Sequence, residues 1–570
     1  MLTGKVVADS TPAEATRQAE AESALELLVP RAGDVPAVAV VALASTVTAS
    51  TVAGWMGWTV LSGRLTAAAL LVAALAASGL ALHLLRPTPV RASRGATVLL
   101  LLPALSVLAA AAVGLVRGVP AGITWFLNGD HPRHAVYVAD TWAQGALTYA
   151  VDGYPRGWHA ALAASWSVVG AGMDPAALLR LLQLMAATSL VLSALLALSM
   201  AHLGHALAQR LGRGPEASAA VGLVVGSATL LNVFLGTYQA MGYENSLLAA
   251  VVLAVCCREV LVRPGSTISL VVCGAGTVVV AHSWQLLLPA VGLTGLWCAA
   301  TALRRGARLA TAVVVVTVGV VLVVGSPAVL AVVQGVGLGH ATEAGPDSPV
   351  PWALLLVGSA CALVLGVRAK DGATRTVAGV TVVPALVAVA LSVALGLDLL
   401  QYYPSKLLWQ SALLALPWIA VAAANGVVVL SRRGAEARSA VRGVGYAVVG
   451  VFAAYALLLP FGSQVGIWST VDGARVVGAV GTPGAGDAAV VWLQGSRTTD
   501  AVTRSLLDVL RVDQTRARAP QSGLTVAQEC DLLRAADQPA VLSTASSEEV
   551  RRRYGCVPDV RLVPVAVVDR

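Results

Sequence analysis

Three stretches of the chain hold residue types that could do chemistry. The first is Asn128-Gly129-Asp130-His131-Pro132-Arg133-His134. It offers a carboxylate that could take a proton, Asp130, with the imidazoles of His131 and His134 beside it. The second is Asp152-Gly153-Tyr154-Pro155-Arg156-Gly157-Trp158-His159. Its aromatics, cations and acid could bind a phosphate and stack on a sugar ring. The same mixture also suits an interfacial belt, where Tyr and Trp gather at the membrane surface. The third is Gln401-Tyr402-Tyr403-Pro404-Ser405-Lys406-Leu407-Leu408-Trp409. Lys406 could clamp an anionic headgroup with help from the hydroxyls of Tyr402 and Tyr403, or it could anchor the span by snorkelling. Two further pieces, the run from Tyr238 to Asn245 with Glu244 and the run His282-Ser283-Trp284-Gln285, either line a site or are satisfied interfacial groups.

The elements that must position these residues are apolar. The chain has 570 residues, of which 57% are hydrophobic and only 12% charged, and its mean hydropathy is +0.78. Soluble chains carry about twice that charged fraction, so cytosolic enzymes, disordered chains and fibrous proteins are excluded. Apolar windows of about 20 residues recur, as expected of a polytopic α-helical membrane protein. About 13 transmembrane helices are expected, at 36–58, 65–85, 97–117, 178–203, 217–236, 246–262, 267–281, 285–303, 310–334, 352–368, 377–398, 407–430 and 442–461. The stretch 267–303 reads either as a hairpin or as one broken span. Residues 1–34 are a polar tail, 35–461 the membrane domain with a large first outer loop at 118–177, and 462–570 a polar tail domain.

Loop charges orient this map. Arg86, Arg91, Arg94, Arg210, Arg213, Arg258, Arg263, Arg304, Arg305, Arg368, Lys370 and Arg432 fall in one set of alternate loops. The other set holds Arg64, Arg133, Arg156 and Lys406, with Arg117 and Arg180 at span edges. The positive-inside rule then places the N-terminus in the cytoplasm of a plasma-membrane protein and, with an odd span count, residues 462–570 outside. Asp130, Asp152, Glu244, His131, His134, His159, His282, Tyr402, Tyr403 and Lys406 all collect on that outer face. The net charge of +8 reflects these loop residues and implies no nucleic-acid partner.

Pro132 fits the first turn of a helix capped by His131. Ala135, Val138, Ala139, Trp142 and Ala146 would share one face and His134, Tyr137, Thr141, Gln144 and Thr148 the other. Such an amphipathic helix could lie in the membrane interface. The apolar stretch from Ala160 to Gly170 is too short to span and should be re-entrant or packed in the bundle. In the tail, Ala488–Leu493, Pro539–Leu542 and Val560–Val568 read as strands, and Thr498–Arg511, Val526–Ala536 and Ser547–Tyr554 as helices, giving a small α/β domain. Gly481–Gly486 reads as linker. Cys530 and Cys556 could form a disulfide if the tail faces an oxidising compartment. Cys256, Cys257, Cys273, Cys298 and Cys361 lie in apolar runs and read as core residues.

An early acid in the first outer loop, an interfacial helix after it and an outer tail domain together resemble the GT-C glycosyltransferases. The Tyr154-Pro-Arg-Gly-Trp-His159 element is similar to a Tyr-Pro-x-Gly-x-His stretch of actinobacterial GT-C-like membrane proteins. Tyr402-Tyr403-x-x-Lys406-x-x-Trp409 resembles an element of the arabinofuranosyltransferases of mycobacterial-type cell walls. In that family the early acid often has a second carboxylate close by; here His131 follows Asp130 and the next acid is Asp140. The resemblance implies an enzyme, an inverting hexosyl- or pentosyltransferase that moves a sugar from a polyprenyl-phosphate donor to a cell-envelope glycan or lipid acceptor. Asp130 would be the catalytic base, with Lys406, Arg156 and His159 stabilising the departing phosphate. His131, His134, Asp152, Tyr154, Trp158, Glu244, His282, Tyr402 and Tyr403 would contribute to substrate binding. The resemblance names no certain cofactor, and a divalent metal is left open. Two other expectations stand beside this one: a transporter or flippase of a lipid-linked or anionic solute, and a non-catalytic membrane scaffold.

Overall fold

The computed structural model describes residues 34–84, 94–116, 130–148, 154–172, 174–231, 233–234, 242–305, 308–331, 350–431, 471–494, 497–509 and 524–565. Apart from Asp34, the N-terminal tail lies outside the described residues, as do Asp152 and the expected span 442–461.

The membrane part runs α1 (Val35–Trp55), α2 (Arg64–Leu84), α3 (Arg94–Val116), α4 (His131–Gln144), α5 (Gly157–Val169), α6 (Pro175–Arg210), α7 (Pro215–Thr229), α8 (Glu244–Val262), α9 (Thr267–Ala281), α10 (Leu288–Arg304), α11 (Arg308–Val320), α12 (Ser326–Ala331), α13 (Trp352–Arg368), α14 (Gly372–Leu395) and α15 (Tyr402–Ser431). Among the described residues, eight segments are long and apolar enough to cross a bilayer, and three shorter apolar helices, Gly95–Ala109, Thr267–Ala281 and Trp352–Arg368, lie beside them. The chain is a helical membrane protein. Residues 267–303 form two helices, α9 and α10, joined by a turn that ends in a 3-10 segment at Gln285–Leu287. The expected span 310–334 is interrupted by a π turn at Val321–Gly325, between α11 and α12.

Local chemistry sets the helix boundaries. Asp174 accepts from the Ala177 amide at the start of α6, and Asp371 from the Thr374 amide at the start of α14. These caps satisfy donors that a helix start leaves unpaired. Small residues set the spacing. On α7, a Cβ at Gly222 would lie 2.7 Å from the Ala201 carbonyl oxygen of α6, and one at Gly226 3.0 Å from that of Ala197. Such close backbone approach is the packing mode of helices in lipid, where apolar side chains gain little by leaving the solvent.

Helix α8 is the axis of the bundle. Nearly all of it is buried, against α6, α9, α10, α14 and α15, as expected of a helix apolar on all sides. Its two ends are polar. Glu244 begins it, and about 28 Å away its last turns hold a buried ionic cluster. Arg263 there bridges Asp34 at 2.9 Å and Glu259 at 3.0 Å, and Arg258 pairs with the same two acids. Two arginines and two acids leave the cluster neutral, which offsets the cost of burying each charge.

The tail contains α16 (Val471–Val480), β1 (Val490–Trp492), α17 (Arg497–Val509), α18 (Val526–Ala535), β2 (Ala540–Ser543), α19 (Ser547–Arg553) and β3 (Arg561–Pro564). Its strands form a parallel sheet in the order β1-β2-β3, with Val490 opposite Val541 and Val541 opposite Leu562. Gly481–Gly486, expected as a linker, is the turn between α16 and β1. Both faces of the sheet are covered. Val491, Leu493, Ala540, Leu542 and Val563 join the same apolar core as the membrane helices, while Val490, Val541 and Leu562 join a second core with Leu533, Val550 and Tyr554. The alternation follows from the period of two along a strand. Cys530 and Cys556 form a disulfide within the second core, with Cα atoms 6.1 Å apart.

The tail meets the membrane part through α17, which packs on α4. Helix α4 is therefore not spread on a membrane surface. His131, His134, Val136, Tyr137, Asp140 and Thr141 are all buried, because α5 covers one side and α17 another. Helix α5 itself packs among α2, α4 and α6. Replacing the fully buried Leu506 of α17 with Ala removes about 2–5 kcal/mol of packing. Hydrogen exchange of the α4 amides should then rise severalfold while that of α8 is unchanged; equal protection of α4 in both proteins would contradict this contact.

Candidate functional site

Asp130 is the residue that caps α4, one position earlier than the His131 cap expected; its side chain makes no capping bond and is left for other partners. Pro132 supplies the fixed φ of the first turn. Gly242 closes on this helix start from the other side. Its φ is +73°, and a Cβ there would stand 2.7 Å from the His131 nitrogen and 2.8 Å from that of Asp130. Only glycine meets both demands, and its presence brings Tyr243 and Glu244 against Asp130 and His131.

A buried chain of imidazoles follows. His131 Nδ1 lies 2.6 Å from Glu244 Oε1, and His134 Nε2 lies 3.5 Å from Oε2. His134 Nε2 is also 3.0 Å from the Gly242 carbonyl, and its Nδ1 is 2.8 Å from His159 Nε2. A carbonyl only accepts, so His134 carries its proton on Nε2, and Nδ1 accepts from His159 Nε2–H. Both rings are neutral. Burial lowers the pKa of His134 against the pull of the Glu244 and Asp130 charges, and burial, with His134 and Arg156, holds His159 well below the usual imidazole range.

Helix α15 brings in the other half. Tyr402 Oη donates to Asp130 Oδ2 at 2.7 Å. Lys406 is one turn further along and only 5% exposed. It does not snorkel. Its Nζ lies 3.3 Å from the ring centre of Tyr243 and 3.5 Å from that of Tyr402, close cation–π contacts on two faces. The negative charges acting on it are those of Asp130 and Glu244. Among the described residues no atom accepts a hydrogen bond from it. One more turn along, Gln410 donates to the Ser246 carbonyl at 2.8 Å. Together with Trp409 Nε1 donating to Val233 O, this fixes the rotation of α15 and the direction of Lys406.

The rim is half-buried and aromatic. Arg133 Nε donates to Tyr137 Oη at 2.8 Å. Tyr137 stacks on Tyr154, with centroids 4.3 Å apart, and Asn245 Nδ2 donates to Tyr154 Oη at 3.3 Å. Burial pushes the Tyr154 phenol well above its ordinary pKa, so it remains a hydroxyl. Tyr403 meets the Tyr402 ring edge-on at 5.0 Å.

The structure thus brings together Asp130, His131, His134, Tyr154, His159, Glu244, Tyr402, Tyr403 and Lys406 from four separate parts of the chain. It gives other duties to three expected binding residues. Arg156 lies 3.7 Å from Asp140 and over the Tyr137 ring. Trp158 packs in the apolar core. His282 is fully buried; its Nε2 faces the Val324 carbonyl in the π turn at 2.9 Å, and its own carbonyl receives the Gly157 amide. Arg156 and His159, expected to steady a leaving phosphate, are an ion-pair partner and a buried neutral imidazole. Tyr243, Tyr137, Arg133 and Asn245 were not singled out as site residues. The spacing of Arg133 and Tyr137, four apart on a helix, and the adjacency of Tyr243 to Glu244 were the available clues.

Among the described residues no group of three or more His, Cys, Asp or Glu side chains is placed to hold a metal ion. The imidazoles are spent on Glu244 and on each other. In comparisons with known proteins, the chain matches no family model and no curated protein.

Two outcomes follow from this geometry. Gly242→Ala should cost about 1–3 kcal/mol from backbone strain alone, more with the clash, and lower Tm by thermal shift; an unchanged Tm would contradict the close approach. The fold also lowers the pKa values of His134 and His159 below the ordinary 6.5. The stability this carries is complete above pH 6.5 and is lost as pH falls below it, because the unfolded chain then binds the extra protons. Tm should therefore drop between pH 7.5 and 5.5, less steeply in His159→Asn.

Proposed function

We propose that the protein is an inverting glycosyltransferase of the GT-C type. It would be a multi-pass plasma-membrane protein with its N-terminus in the cytoplasm and with the site and tail on the outer face. It would move a sugar from a polyprenyl-phosphate donor to a cell-envelope glycan or lipid acceptor. The observation that carries this reading is the Lys406 ammonium, 95% buried yet with no hydrogen-bond acceptor among the described residues, held next to the Asp130 carboxylate by the shared Tyr402. Three donors and a carboxylate oxygen that no described residue engages form a site for a substrate that carries both an anion and a reacting hydroxyl.

The chemistry balances on these groups. The acceptor oxygen forms a bond to the anomeric carbon as the bond from that carbon to the phosphate oxygen breaks. The bonding pair leaves with the phosphate, and the acceptor proton passes to Asp130 Oδ1, the oxygen not engaged by Tyr402. Lys406 meets the charge growing on the phosphate in surroundings where water is scarce and the attraction correspondingly strong. Tyr402 orients the base. The charge distribution of the loops supports the outer placement, and the contact of the tail with α4 supports a shared side for tail and site.

The transporter or flippase reading has one observation in its favour. The buried Glu244–His131–His134–His159 chain is a set of titratable groups within a membrane protein, a feature of proton-coupled carriers.

The test uses purified protein in proteoliposomes with a polyprenyl-phosphate sugar and acceptor glycan. Transfer should be measurable in wild type. It should fall about 10²–10⁴-fold in Asp130→Asn and at least tenfold in Lys406→Met. Full activity in both variants would remove the mechanism. Lipid movement across the bilayer with no covalent product would support the carrier instead.

A further inference from the structure

Arg133 was not singled out from the sequence and plays no part in the mechanism above. We propose that it is the second phosphate-binding residue of the site, a guanidinium fork that grips the phosphate of a polyprenyl-linked substrate and holds it harder as the sugar departs. The inference rests on the transferase reading for the identity of the ligand, and on the geometry of α4 for the rest.

Arg133 is three residues after Asp130, so the two side chains leave the same face of α4 about one helical turn apart. They form no ion pair within 4.0 Å, and Asp130 acts on Arg133 only at longer range. Each is left to face a third party. The fork is fixed in advance. Its Nε donates to Tyr137 Oη at 2.8 Å, its carbon lies 5.7 Å from the centre of the same ring, and Tyr137 is held by its stack on Tyr154. The two terminal nitrogens have no partner among the described residues. Unlike the buried Arg156, which is committed to Asp140, Arg133 is half-buried at the rim, where a headgroup arriving from the membrane surface would meet it.

The charge change along the reaction explains why a fork is useful here. A phosphate joined to both sugar and lipid is a diester carrying one negative charge. After the anomeric carbon–oxygen bond breaks it is a monoester with up to two, and three terminal oxygens where the diester had two, any pair of which can accept in parallel. Arginine matches that bidentate acceptor, whereas lysine supplies a point charge. A contact that strengthens as charge develops lowers the barrier rather than merely tightening substrate binding.

The experiment measures binding without turnover. Full-length protein in detergent is titrated with a short-chain polyprenyl monophosphate, with the same prenol lacking phosphate, and with inorganic phosphate, following intrinsic tryptophan fluorescence. Wild type should prefer the prenyl phosphate to the prenol by tenfold or more. Arg133→Gln should lose about tenfold or more of affinity for the phosphate and none for the prenol, and Arg133→Lys should recover only part. Saturation by inorganic phosphate at equal affinity would mark the ligand as free phosphate, and the lipid assignment would be wrong. Arg133→Gln is half-buried at the rim, so its Tm should stay within a few degrees of wild type. Unchanged phosphate affinity in a folded Arg133→Gln overturns the proposal. The two readings separate cleanly. Arg133-dependent binding with no sugar transfer in wild type would leave this site standing and remove the transferase, and transfer that survives in Arg133→Gln with unchanged kcat and KM would do the reverse.

Discussion

The arrangement depends on an ammonium group held inside a membrane protein without a hydrogen-bond acceptor among the described residues. Burying a lone charge in a low-dielectric interior is costly. Lys406 is kept in place by a combination that offsets part of that cost: two phenol faces at 3.3 and 3.5 Å, and the charges of Asp130 and Glu244 nearby. Each of those groups is in turn anchored. Tyr402 is bonded to Asp130, Glu244 to His131, and the segment before Glu244 can come near only because residue 242 has no side chain. Loss of any one would leave a buried charge or a buried donor unmatched. A bound anion would complete the set, which is why the proposed substrate carries a phosphate.

Helix α8 ties this site to the rest of the bundle. It presents Glu244 at one end and the Asp34–Arg258–Glu259–Arg263 cluster at the other, with an apolar stretch between them. Two polar ends separated by roughly the thickness of a hydrocarbon core resist sliding along the helix axis, since either displacement would pull charges away from their partners into the apolar interior. The helix is thereby fixed in depth, and Gln410 bonding to Ser246 passes that fix to α15. Depth matters for a residue such as Lys406. Moved outward, its ammonium would be hydrated and no longer need the rings; moved inward, it would lose the carboxylates.

The sequence was informative where periodicity and composition act locally. Apolar runs located most of the spans, and alternation with turn residues located the strands at 490–492, 540–543 and 561–564 and the helices around them. Capping chemistry was readable as well, though the α4 cap fell on Asp130 because the proline occupies the second helical position rather than the first. What remained hidden depends on contacts between distant segments. Nothing in the run Tyr238–Asn245 reveals that Gly242 must adopt a positive φ against the start of α4, so Glu244 ranked below residues such as Trp158 that the fold uses as packing. The interfacial reading of α4 failed for a related reason. A helix with one polar face can turn that face to water or to other polar side chains, and its hydrophobic pattern is the same in either case. Here His134 and Tyr137 on that face meet His159, Glu244 and Tyr154, and His131 and Asp140, on other sides of the helix, are taken by Glu244 and Arg156.

The tail completes the enclosure of that helix. A three-stranded parallel sheet needs cover on both faces, and this one takes its two covers from different sources. One face shares its apolar core with the membrane helices through α16 and α17; the other is closed by α18 and α19 and stapled by Cys530–Cys556. Among the described residues the inner face packs into the core of the membrane helices, so part of the tail's own core is made by docking. Because the element docked is α4, the helix that carries Asp130, Arg133 and His134, the position of those groups and the folding of the tail are determined by the same buried surface. A site whose acid, base and anion-binding groups must stay within a few tenths of an ångström of working geometry gains rigidity from that arrangement without adding a single contact to the substrate.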